Sequence, residues 1–379
     1  MHMNESENFQ VRDVFNPEAV AKLADDLQAA WRNFNAAAFQ KQILAKLAVQ
    51  TYSERKQAIT DALSAHLPAD FEQAVGILLQ ALPPPLEGEG LDVKDRFILV
   101  CLTAYVAKHG LHRERLDFSL QALYEMTKRF SAEFDIRHFI AAFPEPTLAV
   151  LHQWAKDSNM HVRRLVSEGS RPYLPWGKRL VQFDKDPMPA LALLEHLRTD
   201  PEEYVRRSVA NHLNDVAKKH PEKVVQLLKR WKAEVPSTTL DRLIRHATRT
   251  LVKQGHPEAL ALQGFSKGAE VAVEKLTITP SPVKLGENIQ FSFQLDATGR
   301  DQQKLVVDYG IYFLKANGRH ALKIFKLGVY ELAPNAGLSI TRNFSFRPIT
   351  TRVYYPGLHK LIIQVNGVEM IQREFEVIA

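Results

Sequence analysis

The feature that most limits how this chain can fold is a change of pattern near Gly264. Before it, apolar residues recur at three- and four-residue spacing, as in AVAKLADDLQAAW and FQKQILAKLAVQ, the period of an amphipathic helix. After QGFSKGAE the chain turns to short alternating runs: VAVEKLTIT, ENIQFSFQLDA, KLVVDYGIYFLK, ALKIFKLGVYEL, LSITRNFSFR, HKLIIQVNG and EFEVIA. These are rich in Val, Ile, Phe and Tyr, and turn-forming stretches such as ATGRDQ, ANGRH, APNAG and SPVKLG separate them. About seven strands in roughly 110 residues describe an antiparallel sandwich of immunoglobulin-like type. The expected organisation is therefore multidomain: a polar, disordered N-terminus over 1–12, an all-α helical solenoid over 13–263, and an all-β sandwich over 271–379.

The helical part carries an internal echo. VRRLVSEGS at 162–170 and VRRSVANHL at 205–213 share V-R-R-x-V at an offset of 43 residues. Repeats of about 40–47 residues built from helix pairs are HEAT-like, and such stacks offer a concave face to an extended partner. LDRLIRHATRTLV (240–252) and IRHFIAAFP (136–144) read as weaker copies. Asn16-Pro17-Glu18 opens the first helix as a cap followed by proline. Gly110 reads as a helix C-cap. LPPPLEGEGLD (82–92) is a long loop that joins helical layers or lies over a site.

Composition removes several classes of function. The apolar run 97–107 is bounded by Arg96 and Lys108, too short to span a membrane. Cys101 is the only cysteine, which excludes an intrachain disulfide and a cysteine-rich metal site. With no apolar leader at the N-terminus, a cytoplasmic monomer is expected. HExxH, GxSxG and a phosphate-cradling glycine loop are all missing, so neither metal nor cofactor is expected. Charge is uneven within an overall +6: residues 161–256 hold 19 Lys+Arg against 11 Asp+Glu, which leaves the front of the chain acidic. A basic middle suits a polyanion such as nucleic acid, and equally a solvated helical surface.

Three patches hold the residue types that chemistry needs. In HVRRLVSEGSRPYLPWG (161–177), Arg164, Glu168 and Arg171 are spaced i, i+4, i+7 and share a helix face, with Trp176 held between Pro175 and Gly177. In SAEFDIRHFI (131–140), Glu133 and Arg137 form an i, i+4 pair. In VRRSVANHLNDVAKKH (205–220), Arg207, Asn211, Asp215 and Lys218 run along one face. A shift of 43 lays Arg164 over Arg207 and Glu168 over Asn211, so neighbouring repeats turn equivalent positions to one surface. Each patch also has a plainer reading: Glu–Arg pairs support helices by a few tenths of a kcal/mol, and a lone tryptophan commonly plugs a repeat end.

Taken together, SAEFDIRHFI, HVRRLVSEGSRPYLPWG and VRRSVANHLND resemble the AlkC branch of the HEAT-like DNA alkylation-repair glycosylases, relatives of AlkD. The appended sandwich resembles that of the branch's longer members. The resemblance implies a bacterial enzyme of base excision repair acting on double-stranded DNA. It would release cationic bases such as 3-methyladenine and 3-methylcytosine without turning the nucleotide into a deep pocket. It also implies Glu133, Glu168, Trp176 and Asp215 as active-site residues. The basic residues Arg137, Arg163, Arg164, Arg171, Arg206, Arg207, Lys218 and Arg245 are then expected to meet DNA. Arg347 and Arg352 of the loop RPITTRVYYPG are assigned the same role. The competing class is a non-catalytic repeat scaffold that grips DNA or an acidic protein, which the charge distribution alone would satisfy.

Overall fold

The computed structural model describes residues 10–89, 94–266, 268–349 and 352–379. The chain divides into two compact units, Met1–Lys219 and His220–Ala379. The expected helical region over 13–263 thus extends into the second unit, which among its described residues holds four helices as well as the sandwich.

The first unit is all helical among its described residues. Its helices start where short polar side chains can take an orphan amide. Asn16 accepts from Ala19 N at 2.8 Å ahead of Pro17–Ala30, and Thr51 and Glu54 form a capping box on Tyr52–His66. The N-terminus expected to be disordered over 1–12 lies outside the described residues as far as residue 9. From there, Val11–Val14 form a 3-10 turn with Val14 buried, held because Arg55 donates to the carbonyls of Arg12 and Phe15. Gly110 is not the left-handed cap expected of it. It is the last residue of Val100–Gly110, and a Cβ there would lie 2.2 Å from Ser119 Oγ, so close packing selects the glycine.

The proline loop runs over neighbouring elements as far as residue 89; its last residues, 90–92, lie outside the described ones. Pro83 O accepts from Arg129 and Pro84 O from Arg96, while Leu86 N donates to Lys128 O. At its far end Gly88 O accepts from His161 Nε2 at 3.0 Å. The loop therefore reaches the first V-R-R repeat.

The two V-R-R segments lie on Met160–Gly169 and Glu203–Val216, which pack against each other. Val162, Leu165 and Val166 of one and Val205, Val209 and Leu213 of the other are essentially inaccessible. Each such side chain contributes roughly 1.5–3 kcal/mol through burial. That stripe fixes the rotation of both helices, and with it the direction of their charged residues.

Among the described residues of the second unit, Pro221–Glu234, Thr238–Ala247, Arg249–Lys253 and Pro257–Leu262 precede eight strands. These are β1 (Val271–Thr279), β2 (Val283–Lys284), β3 (Asn288–Ala297), β4 (Gln303–Leu314), β5 (His320–Leu332), β6 (Gly337–Ser345), β7 (Gly357–Val365) and β8 (Val368–Ile378). They form one sheet in the order β1-β3-β6 and another in the order β2-β8-β7-β4-β5. The seven expected strands are present. The eighth, β2, comes from SPVKLG, where only a turn was expected, and pairs parallel to β8. Alternating Phe291, Phe293, Ile311, Phe313, Ile363, Phe375 and Val377 build the core between the sheets.

Candidate active site

Glu168 stands in the last turn of Met160–Gly169, whose N-terminus is capped by Asn159. Arg164 Nη2 lies 3.9 Å from Glu168 Oε1 one turn below. Arg171 falls beyond the helix end, so the expected three-residue stripe stops at Glu168. The chain turns back instead, and Arg171 Nη1 donates to Glu168 Oε1 at 2.6 Å. The Nε and Nη2 of Arg171 both lie 2.8 Å from Asp215 Oδ2, a two-pronged grip on one oxygen. Asp215 Oδ1 accepts from Lys218 at 2.9 Å. One arginine thus ties together the carboxylates of two successive repeats.

Glu133 joins from a third segment. It precedes the helix Ile136–Ala142 rather than lying within it, and its partner is not Arg137 but Arg164, whose Nη1 donates to Glu133 Oε2 at 2.7 Å. The expectation that Arg137 meets DNA is corrected by its burial, which is complete. Its Nε donates to Lys178 O at 2.6 Å, and its Nη atoms reach Gly169, Arg171 and Pro172 carbonyls at 2.9, 2.7 and 3.4 Å. Burial pushes its pKa down to about 10. Its donors fasten the loop 169–178 from inside.

That loop carries Trp176 at φ 62°, a left-handed conformation that costs a bulky residue energy and is kept only where the surroundings enforce it. The indole is 72 % exposed, and its ring centroid is 6.1 Å from that of Tyr52. Glu133, Glu168, Arg171 and Trp176, with Phe97 and Phe130, line one cleft of about 230 Å³. Asp215 is outside that lining and reaches it through Arg171.

The remaining basic residues separate by what they hold. Arg163 grips Asp200 with two bonds, at 2.6 and 3.0 Å, and donates to the Asp157 and Ser158 carbonyls. Arg206 does the same for the carbonyls of Asp200 and Pro201. Both are engaged in bracing loops. Arg164 and Arg171 are engaged by carboxylates. Arg207 and Lys218 are about half exposed. In the second unit Arg245 and Arg347 are exposed, whereas Arg352 stacks 4.6 Å over the Phe313 ring and lines a cleft of about 460 Å³ with Lys315 and Lys323.

The electrostatics favour a carboxylate at Glu168. Burial alone raises its pKa, but Arg164, Arg171 and the Ser208 hydroxyl outweigh that and hold it below the ordinary glutamate value. Burial likewise lowers Arg171, and Glu168 with Asp215 more than restores it. Such a group cannot serve as a general acid near neutral pH, yet it can stabilise a cation or orient water. Among the described residues no cluster of three or more His, Cys, Asp or Glu is placed to hold a metal. No helix described is long and apolar enough to cross a membrane.

Three neighbours escaped the sequence reading. Tyr204 lies under Arg164, 4.9 Å from guanidinium to ring; Tyr52 faces Trp176; and Ser208 donates to Glu168 Oε2 at 2.5 Å. A signal for Ser208 was present in the repeat itself: the variable position of V-R-R-x-V is Leu165 in one copy and Ser208 in the next.

A family model described as DNA alkylation repair enzyme matches residues 28–249. The chain belongs to the DNA alkylation repair enzyme family. A second model, the C-terminal Ig-like domain of uncharacterised protein YhaZ, matches residues 272–379. Uncharacterized protein YhaZ of Bacillus subtilis (strain 168) is 36% identical over 369 residues, covering 97% of this chain and 99% of its own. The solved structure of Pseudomonas fluorescens alkylpurine DNA glycosylase AlkC, bound to DNA containing an abasic site analog, superimposes with a TM-score of 0.89. It is 40% identical, with 97% of this chain and 99% of that chain covered. The AlkC resemblance and the helical-repeat and immunoglobulin-like fold read from the sequence are borne out.

Proposed function

We propose that the protein is a DNA glycosylase that hydrolyses the N-glycosidic bond of cationic alkylated bases, 3-methyladenine and 3-methylcytosine among them, in double-stranded DNA. The observation that carries this reading is the convergence of Glu133 and Glu168 on one cleft beneath Trp176, with Asp215 joined to them through Arg171. An alkylated base that already bears a positive charge leaves as a neutral molecule and needs no general acid. Positive charge then builds on the deoxyribose. A glutamate held ionised beside the sugar stabilises that charge and positions the attacking water, and an indole face adds a π surface for a cation. The match to an alkylpurine DNA glycosylase over nearly the whole chain supports the same reaction.

The test is to measure bases freed from N-methylated duplex DNA. Wild-type protein is expected to release them. Glu168→Gln is expected to bind DNA within a few-fold of wild type while losing about 100-fold or more in rate, the scale on which transition-state stabilisers act. Undiminished release by that variant would remove Glu168 from its role. Salt-sensitive DNA binding with no release from any methylated substrate would instead favour the scaffold class.

A further inference from the structure

Glu168 is held at both oxygens, by different kinds of group. Oε1 receives Arg171, which is also committed to Asp215. Oε2 receives the Ser208 hydroxyl at 2.5 Å, a short charge-assisted bond from the helix of the next repeat. Ser208 is 3 % exposed. A serine hydroxyl has one proton, and the carboxylate takes it. Ser208 Oγ also lies 3.0 Å from the Ser167 hydroxyl. The carbonyl of Ser167 accepts from His212 Nδ1 at 3.0 Å, which places the proton of the neutral imidazole on that nitrogen. A short polar chain behind the cleft thus ends on one carboxylate oxygen.

We infer that Ser208 is a positioning residue for the reaction: it fixes the plane of the Glu168 carboxylate toward the cleft and keeps that group an acceptor rather than a donor. The terminal torsion of a glutamate is broad and is not set by its rotamer well. An arginine on one oxygen leaves the carboxylate able to swing about that contact. The second bond, coming from a different helix, removes the swing. The inference rests on the glycosylase reading of Glu168, and the two can fail separately.

The experiment compares wild type, Ser208→Ala, Ser208→Cys and Glu168→Gln in single-turnover base release from methylated duplex DNA, with DNA affinity and melting measured alongside. Ser208→Ala is expected to lose about 10-fold in rate, the size of a hydrogen bond to a charged group, with DNA affinity unchanged. Its acid limb should move to higher pH, because one of the groups that lower the Glu168 pKa is gone. Ser208→Cys, nearly isosteric but a weaker donor, should fall between serine and alanine. Wild-type rate and pH profile in Ser208→Ala would overturn the inference. So would equal rates for serine and cysteine, or a rate loss that only tracks lost folding and DNA affinity. Full release by Glu168→Gln would instead sink the reading beneath it, whatever Ser208 does.

Discussion

A guanidinium's five donors let an arginine hold a chain together as readily as they meet a phosphate, and Arg137 does the former. Replacing it with methionine takes away the arginine donor of the Gly169, Arg171 and Lys178 carbonyls and one of two donors to the Pro172 carbonyl, which also accepts from Leu180 N at 3.4 Å. Arg137→Met is expected to cost about 3 kcal/mol or more in a denaturant melt and to lose base release with it. A variant as stable as wild type would show that the loop holds itself. His212 makes a pH prediction at the same scale. It is fully buried, and that burial pushes its pKa down to about 4. The unfolded chain, titrating near its ordinary 6.5, then binds the extra proton between about pH 6.5 and 4, so stability falls as pH drops through that window. His212→Asn should flatten this dependence in melts run from pH 7 to 4. Residue types at the site were legible in the sequence because their chemistry is. Which arginine serves the fold and which faces outward was not, since carbonyl partners leave no mark in a side-chain pattern.

Within an element, the V-R-R motif divides its labour in a fixed way. The first arginine reaches back to two carbonyls of the segment entering its own helix: Arg163 to Asp157 and Ser158, Arg206 to Asp200 and Pro201. The second points away toward an acidic partner from elsewhere, Glu133 for Arg164 and Glu89 for Arg207. Arg206→Ala is therefore expected to lower stability by about 1–2 kcal/mol while leaving the salt dependence of DNA binding as it was. Arg207→Ala should do the reverse, leaving the melt within about 0.5 kcal/mol and reducing the slope of log affinity against log salt by about 1. Equal effects from the two would contradict the division. The offset of 43 residues made the repeat visible. It left the roles of two adjacent arginines open, because one residue turns a helix by 100° and only the neighbouring helix decides which direction is inward.

At the scale of the whole molecule, the change of pattern near Gly264 marks where strands begin but not where the compact unit does. The Asn366-Gly367 turn between β7 and β8 sits against the helical segment ahead of the sandwich. A Cβ on Gly367 would lie 2.2 Å from Gly255 N, and both glycines have positive φ. Asn366 adds bonds to Ser266 O and Val306 N. Sequence periodicity reports each element's own fold, and these contacts join residues between 60 and 112 positions apart, so no local pattern could have shown them. Removing 271–379 is accordingly expected to do more than delete a sandwich. It strips the helices between 220 and 262 of this support, and limited proteolysis should then cut the truncated chain beyond residue 219 while the first unit resists. A gentler version is Gly367→Ala, which adds a Cβ where both φ and space forbid it. More than about 1 kcal/mol should be lost from the second unit, with early cleavage between 220 and 379. A truncated chain that resists protease up to residue 262 would show that the unit boundary lies at the change of pattern after all.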